Sequence, residues 1–257
     1  GLLISMVQRD APLGTIFVNG QGKNDLKEFH FPAVLFNIAK PALMLTSSFI
    51  KNLIAEGEGL HLDFKYYISS APKIAKTLVA FANTEGGRLL IGVKDNGNIV
   101  GVESEEEIFM IELAAEQYCK SAGKVEMQDW EVEGKVVLEV NVPKSDEKPH
   151  YAKDESGKWL VYIRKDDENL LANKVLIEVF KQKKRKKGAH IRYEEPERIL
   201  LDYLNNHSTI TFYEYCKLAK IPPKLAQKVL VNLVSIGLVE VHITGKINFF
   251  SLHNKAG

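Results

Sequence analysis

Six residues, Arg88–Val93 (RLLIGV), constrain this chain more than any others. They are almost wholly apolar, preceded by Gly86-Gly87 and followed by Asp95-Asn96-Gly97. A short apolar run bounded by turn residues reads as a strand covered on both faces. Such a strand needs a layer on each side, so the chain has to supply helices or further strands around it. Asp95-Asn96-Gly97 predicts a tight hairpin turn returning through Ile99, Val100 and Val102.

The flanking segments supply those layers. Phe49–Ala55 reads as a helix, broken by Glu56-Gly57-Glu58-Gly59. Leu60–Tyr66 alternates, with Leu60, Leu62 and Phe64 on one face and His61, Asp63 and Lys65 on the other, the pattern of a half-buried strand. Residues 72–83 read as a helix with Ile74, Leu78, Phe81 and Ala82 on one face and Pro72 in its first turn. Ser104 with Glu107 predicts a capping box for a helix to about Ser121. Lys124–Val132 and Lys135–Val142 form a hairpin across Glu133-Gly134. A polar loop, Pro143–Pro149, leads to a last strand, Lys158–Arg164, and a helix begins at about Leu170. The fold class is α+β, a mixed sheet with flanking helices over about residues 44–180.

Lys181–Lys187 (KQKKRKK), six of its seven residues basic, places a domain boundary and a basic linker at 181–193. Beyond it, residues 194–253 read as three helices and two strands. The first helix carries Ile199, Leu200, Tyr203 and Leu204. Thr211 and Glu214 cap the second, and Ile221-Pro222-Pro223 is a turn. The third has Leu225, Val229, Leu233 and Ile236 on one face. Strands Leu238–Ile243 and Ile247–Leu252 follow around Thr244-Gly245-Lys246. This order is that of a small winged helix-turn-helix domain. Residues 1–43 form an N-terminal extension: either an upstream addition of little function or an arm that packs on the body or a neighbouring subunit. Gly14–Gly22 reads as a hairpin, Phe29–Phe36 as an apolar run, and Met44 as a natural start.

Of the 257 residues, 45% are hydrophobic and 26% charged, which excludes wholesale disorder and fibrous architectures. Cys119 and Cys216 stand far apart with no CxxC, so neither a disulfide framework nor a zinc finger is expected. The longest apolar stretch, Phe31–Leu45, is short of the roughly 20 residues that span a bilayer and is interrupted by Asn37, Lys40 and Pro41. With no signal-peptide pattern, a cytoplasmic location without membrane association is expected. The net charge of +1 hides an uneven distribution. Glu103, Glu105, Glu106, Glu107, Glu112 and Glu116 make one segment acidic. The junction at 181–187 and the lysines beyond it are basic, which locates a nucleic-acid contact there.

Three groups of residues would carry chemistry. Glu58, Asp63 and Asp95 are carboxylates at strand ends; were they to converge, they would bind Mg²⁺ or Mn²⁺ and activate water for phosphodiester cleavage. Lys65, on the face of Asp63, would neutralise a phosphate. Acidic residues at strand ends and turns are usually solvent-exposed, and turn chemistry by itself explains Asp95, so spacing alone favours that reading. Asn83, Gly86 and Gly87 would cradle a phosphate, or simply end a helix. There is no Walker motif, so ATP is not supported. On the third helix Lys224, Gln227 and Lys228 share the face opposite Leu225 and Leu233. Lys217 and Lys220 precede it and Lys246 tips the wing. Lysines there would meet phosphates and Gln227 a base edge, although winged helices also dimerise. His61 and His150 do not cluster with other ligands.

Glu58-Gly-Leu-His-Leu-Asp63-Phe-Lys65, Ile74 to Gly87 (IAKTLVAFANTEGG) and Leu90 to Gly97 (LIGVKDNG) with Gly101 together resemble the Schlafen/AlbA-like DNA-binding family, formerly the divergent AAA domain. Pro149, Tyr162-Ile-Arg164, Asn169 and Ala172 look like its closing motif, so the likeness spans about residues 50–175. The resemblance implies nucleic-acid binding for the α+β domain, where Arg164 is a further candidate contact; independently of it, the charge run with Lys183, Lys184, Arg185 and Lys186 favours DNA or RNA, or is a solvated linker. Bacterial and archaeal members often carry a C-terminal winged helix and are described as transcriptional regulators. In animal Schlafens the core is an endoribonuclease cutting tRNA and rRNA with three metal-linked carboxylates, at positions matching Glu58, Asp63 and Asp95. The family usually has Glu at Asp63 and Ser at Gly59; Asp shortens the reach by one methylene. The first expectation is a DNA-binding transcriptional regulator. The alternatives are a Mg²⁺- or Mn²⁺-dependent endoribonuclease on structured RNA and a homo-oligomeric adaptor dimerising through the winged helix.

Overall fold

A computed structural model describes the backbone of residues 15–19 and 26–30, and residues 46–102, 105–120, 125–184 and 193–253. Residues 1–40 and 41–257 are two compact units. In the first, β1 (Thr15–Asn19) and β2 (Leu26–His30) pair antiparallel from Thr15↔His30 to Asn19↔Leu26. The hairpin expected within Gly14–Gly22 thus takes its second strand from further along, and the rest of the Phe29–Phe36 run lies outside the described residues.

The second unit begins with α1 (Thr46–Glu56), β3 (Leu62–Lys65), α2 (Ala71–Asn83) and β4 (Gly87–Ile91). Then come α3 (Glu106–Gln117), β5 (Cys119–Lys120), β6 (Glu126–Val132), β7 (Lys135–Val142), β8 (Tyr151–Lys153), β9 (Trp159–Leu160), β10 (Tyr162–Lys165) and β11 (Glu168–Leu171). The main sheet has the order β3-β4-β7-β6, with β3 parallel to β4 and the remaining pairs antiparallel. β4 is therefore an interior strand, and Leu89, Leu90 and Ile91 are fully buried. Leu89 and Ile91 join Leu138 and Val140 under α2 and α3, whereas Leu90 joins Phe64 and Val137 under α1. The two-faced burial expected of RLLIGV is what α1 and α2 provide.

α2 is apolar nearly all round because sheet, α3 and β10 close on it; Ile74, Leu78, Phe81 and Ala82 are all buried. Its end is fixed by Gly86, whose N–H donates to Phe81 O at 2.9 Å with φ 76. A Cβ on Gly86 would sit 2.6 Å from Lys144 N, so both conformation and space require glycine. The turn after β4 forms as expected, with Val93 bridging Ile99 and Gly97 at φ 81.

Three boundaries differ from the sequence pattern. α3 stops at Gln117, because Cys119 pairs with Ala152; Ser104, its expected cap, lies outside the described residues. Lys158–Arg164 is not one strand: β9 pairs with β8, and β10 pairs with β11 in a separate hairpin. Asn169 and Leu170 consequently lie in a strand, and the helix α4 (Lys174–Lys184) starts later, where Asn173 Oδ1 accepts the Leu176 N–H at 2.9 Å.

α4 runs through the first half of the basic stretch, past the expected boundary, and its Val175 and Val179 belong to the hydrophobic cluster of the C-terminal elements. These are α5 (Glu195–Asn206), β12 (Ile210–Thr211), α6 (Phe212–Leu218), α7 (Pro223–Ser235), β13 (Val239–His242) and β14 (Phe249–Leu252). The strands form a three-stranded antiparallel sheet, β12-β14-β13, one strand more than the pattern predicts. Thr211 and Glu214 make the expected capping box. Among the described residues no helix is long and apolar enough to cross a membrane.

Candidate functional site

Asp63 follows the strand parity expected of it, since it shares a face with Lys65. That face, however, is covered by α2 rather than open to water, and Asp63 is only 4% exposed. What covers it is Arg164, itself 2% exposed. Its Nη2 donates to Asp63 Oδ1 at 3.3 Å and to Leu62 O at 3.2 Å, Nε to Gly59 O at 3.0 Å, and Nη1 to Asn169 Oδ1 at 3.1 Å. Asn169 in turn donates to Thr77 Oγ1 at 2.9 Å, and the guanidinium lies 5.2 Å from the Phe81 ring centroid. Arg164 is thus a buried strut joining β10, β11, α2 and β3, and its burial leaves no exposed guanidinium for the nucleic-acid contact expected of it. Its fork geometry explains why Arg occupies the position.

Asp63 Oδ2 lies 3.2 Å from Lys65 Nζ, an ion-pair distance without hydrogen-bond alignment, while Lys65 Nζ donates to Phe64 O at 2.6 Å. Glu58 Oε1 accepts the Phe64 N–H at 2.8 Å. Burial first, then the neighbouring Asp63 carboxyl, raises the Glu58 pKa above the ordinary carboxylate value, against the pull of the Phe64 N–H. Glu58 and Asp63 therefore come together as expected. Asp95 does not join them: it is exposed in the turn after β4, and among the described residues no three Asp, Glu, His or Cys side chains could hold a metal ion. Both oxygens of Asp63 already face a cation, from Arg164 and Lys65. These residues do not fit Mg²⁺ or Mn²⁺, and no metal-assisted step follows from them.

A carboxyl whose folded pKa lies above its unfolded value holds its proton longer in the folded chain. Folding then loses stability as pH rises from the ordinary Glu value through the raised one. Glu58→Gln keeps the acceptor for Phe64 N–H and removes the charge. It is expected to melt at a higher temperature than the parent at neutral pH, the advantage vanishing in acid; thermal melts at the two pH values check this.

The Asn83–Gly87 segment is a structural staple. Asn83 is 2% exposed; its Nδ2 donates to His150 O at 3.0 Å and Tyr162 O at 2.9 Å, and its Oδ1 accepts the His150 N–H at 2.8 Å. With Gly86 N–H spent on Phe81 O and Gly87 pressed under the Phe81 ring, the phosphate cradle expected at Asn83, Gly86 and Gly87 has no donor from Asn83 or Gly86 to offer. His150, in the loop before β8, is buried within this staple.

The basic residues of the C-terminal elements remain at the surface. Lys224 and Lys228 are exposed one turn apart on α7 and Lys246 is exposed in the turn before β14. Lys217 Nζ lies 4.5 Å from the Tyr213 ring centroid. None of these four lysines makes an ion pair among the described residues. Gln227 departs from expectation: it is half-buried and lines a pocket of about 250 Å³ with Asn173, Val175, Phe212 and Pro223. Leu225 departs too, being 38% exposed, and the core stripe of α7 is Ala226, Val229, Leu230 and Leu233. Lys183 is exposed, Lys184 sits 3.6 Å from Glu147, and Arg185 and Lys186 lie outside the described residues.

Two neighbouring aromatics went unremarked in the sequence pattern. Tyr66 and Tyr67, directly after β3, are 51% and 58% exposed, and Lys94 Nζ lies 5.3 Å from the Tyr66 ring centroid. The available signal was two consecutive aromatics at a strand end, where alternation can bury only one.

Residues 58–173 match the family described as Schlafen, AlbA_2. Among solved structures, the chain is similar to the DIP2311 protein from Corynebacterium diphtheriae, at 17% identity and TM-score 0.41, over 62% of this chain and 36% of that one. It is also similar to the N-terminal domain of a RecG-related protein from Nitrosomonas europaea, at 27% identity and TM-score 0.35, over 45% of this chain and 87% of that one. The chain spans about a third of the DIP2311 structure. No curated protein matches it.

Proposed function

We propose that this chain, whose residues 58–173 match the Schlafen, AlbA_2 family, binds nucleic acid and acts in the cytoplasm as a DNA-binding transcriptional regulator. The observation that carries the reading is the set of exposed lysines without ion pairs, Lys217, Lys224, Lys228 and Lys246, spread over α6, α7 and the turn before β14. An uncompensated cationic surface is what a phosphate backbone selects. The order α5-β12-α6-α7-β13-β14 fits a winged helix, with α7 as the helix that approaches the groove. α4 flanks α7, since Ser235 Oγ donates to Gln182 Oε1 at 3.2 Å. Contact therefore falls to the N-terminal turns of α7 and to the wing rather than to the whole helix.

The nuclease alternative is not favoured, because Asp63 is already matched by Arg164 and Asp95 stands apart.

The test is duplex binding across a salt series. The parent is expected to lose affinity steeply as salt rises, and Lys224→Glu with Lys228→Glu to bind more weakly with a log–log salt slope smaller by about 2. Salt-independent binding by the parent, or equal slopes, overturns the reading. Light scattering showing a dimer with no DNA shift points instead to the adaptor.

A further inference from the structure

The carboxyl ends of the parallel strands β3 and β4 open side by side, and two backbone bonds lock the chain exits together. Lys65 O accepts Gly92 N–H at 2.9 Å and Val93 N–H at 3.3 Å. Tyr66 and Tyr67 are thereby fixed beside Lys94.

What stands there is a preorganised pair. The two rings meet edge to face, centroids 5.3 Å apart and planes at 89°. Each ring is more than half exposed, and Lys94 rests on Tyr66. A single exposed tyrosine needs no explanation. Two consecutive ones, held against each other with a cation alongside, present an aromatic face and a positive charge together. Lys94 makes no ion pair among the described residues, so its charge is available to an anion.

We infer that Tyr66, Tyr67 and Lys94 form a shelf for single-stranded nucleic acid, an unpaired base stacking on Tyr67 while Lys94 meets the adjoining phosphate. The inference rests on the nucleic-acid reading above and names its partner more narrowly. Base–aromatic stacking accepts any base but requires a free ring face, which a duplex interior does not offer. The charge decides against a purely apolar occupant, and the exposed ring faces decide against a simple counter-ion site.

The experiment uses the full chain and fluorescence anisotropy with a short labelled oligothymidylate, its RNA equivalent and a blunt duplex. Tyr66→Ala with Tyr67→Ala is expected to weaken single-strand binding about tenfold per stacked base and to leave duplex binding unchanged. Tyr66→Phe with Tyr67→Phe is expected to bind as the parent does, since the ring and not the hydroxyl does the stacking; its thermal melt and that of the alanine variant verify folding. Equal single-strand affinity for the alanine variant and the parent overturns the shelf. A parent that binds the duplex with salt dependence but no single strand overturns the shelf alone. A parent that binds neither overturns the nucleic-acid reading as well.

Discussion

Arg164→Met is expected to cost about 3–5 kcal/mol of folding stability, because it strands a buried carboxylate. Asp63 and Arg164 are both nearly inaccessible, and the guanidinium is the hydrogen-bonding partner of Asp63 Oδ1. The carbonyls of Gly59 and Leu62 lose their Arg164 donors in the same change. Lys65 stays near Asp63 Oδ2, but its ammonium is on a flexible stem and partly exposed, so it screens the charge poorly. Arg164→Lys is therefore expected to fall well short of the parent, lacking the planar fork that reaches four acceptors. The pair with Asp63→Leu separates the causes. If the stranded charge dominates, Arg164→Met combined with Asp63→Leu recovers much of the loss; if the lost carbonyl donors dominate, it does not. Urea unfolding with an unchanged slope measures each variant. A loss below about 1 kcal/mol for Arg164→Met, the size of an ordinary exposed pair, would mean that water reaches Asp63.

The same pair shows what was legible in the sequence. The apolar run at Leu89–Ile91, the glycine stop at Gly86 and the turn at Gly97 were readable because backbone conformation and burial depend on local residue type. The parity that puts Asp63 and Lys65 on one face was readable too. Whether that face meets water was not, since it depends on a residue 101 positions away. Arg164 looked like a surface cation for the same reason: composition gives its charge and says nothing of the partners that bury it. Asn83 looked like a ligand group, and its acceptors lie 67 and 79 positions downstream. At Glu168–Leu171, a run that also suits a helix start becomes strand because β10 supplies a partner, a tertiary override of local preference. The fold class rests on local signals and the site on long-range ones, which is why the carboxylate group was only half assembled in advance.

Val179→Asp is expected to be the second severe variant, and its damage to appear in the C-terminal elements. Val179 is 2% exposed although it sits in the helix that enters the basic stretch. It packs in the cluster that holds Leu200, Leu230 and Leu233, so α4 completes the C-terminal core instead of closing the preceding sheet. Val231 makes the same point from the other side. It lies off the stripe of Ala226, Val229, Leu230 and Leu233, yet it is only 8% exposed, next to the flank where Ser235 meets Gln182 of α4. An unpaired carboxylate forced into that contact costs several kcal/mol or drives α4 away. Either result removes the covering helix from α7. Hydrogen exchange in the full chain is expected to show lost protection in residues 174–184 and 223–235, with β3, β4 and β7 still protected. If instead α7 keeps its protection, α4 is a bystander there. If the main sheet loses protection at the same rate, α4 couples the two clusters into one cooperative unit. The Lys184–Glu147 pair and the Lys148 ammonium, 5.9 Å from the Phe180 ring centroid, are the contacts that would carry such coupling from α4 back to the sheet. Both are partly exposed side-chain contacts, weak beside a buried apolar cluster, so the separation of the two responses is the expected result.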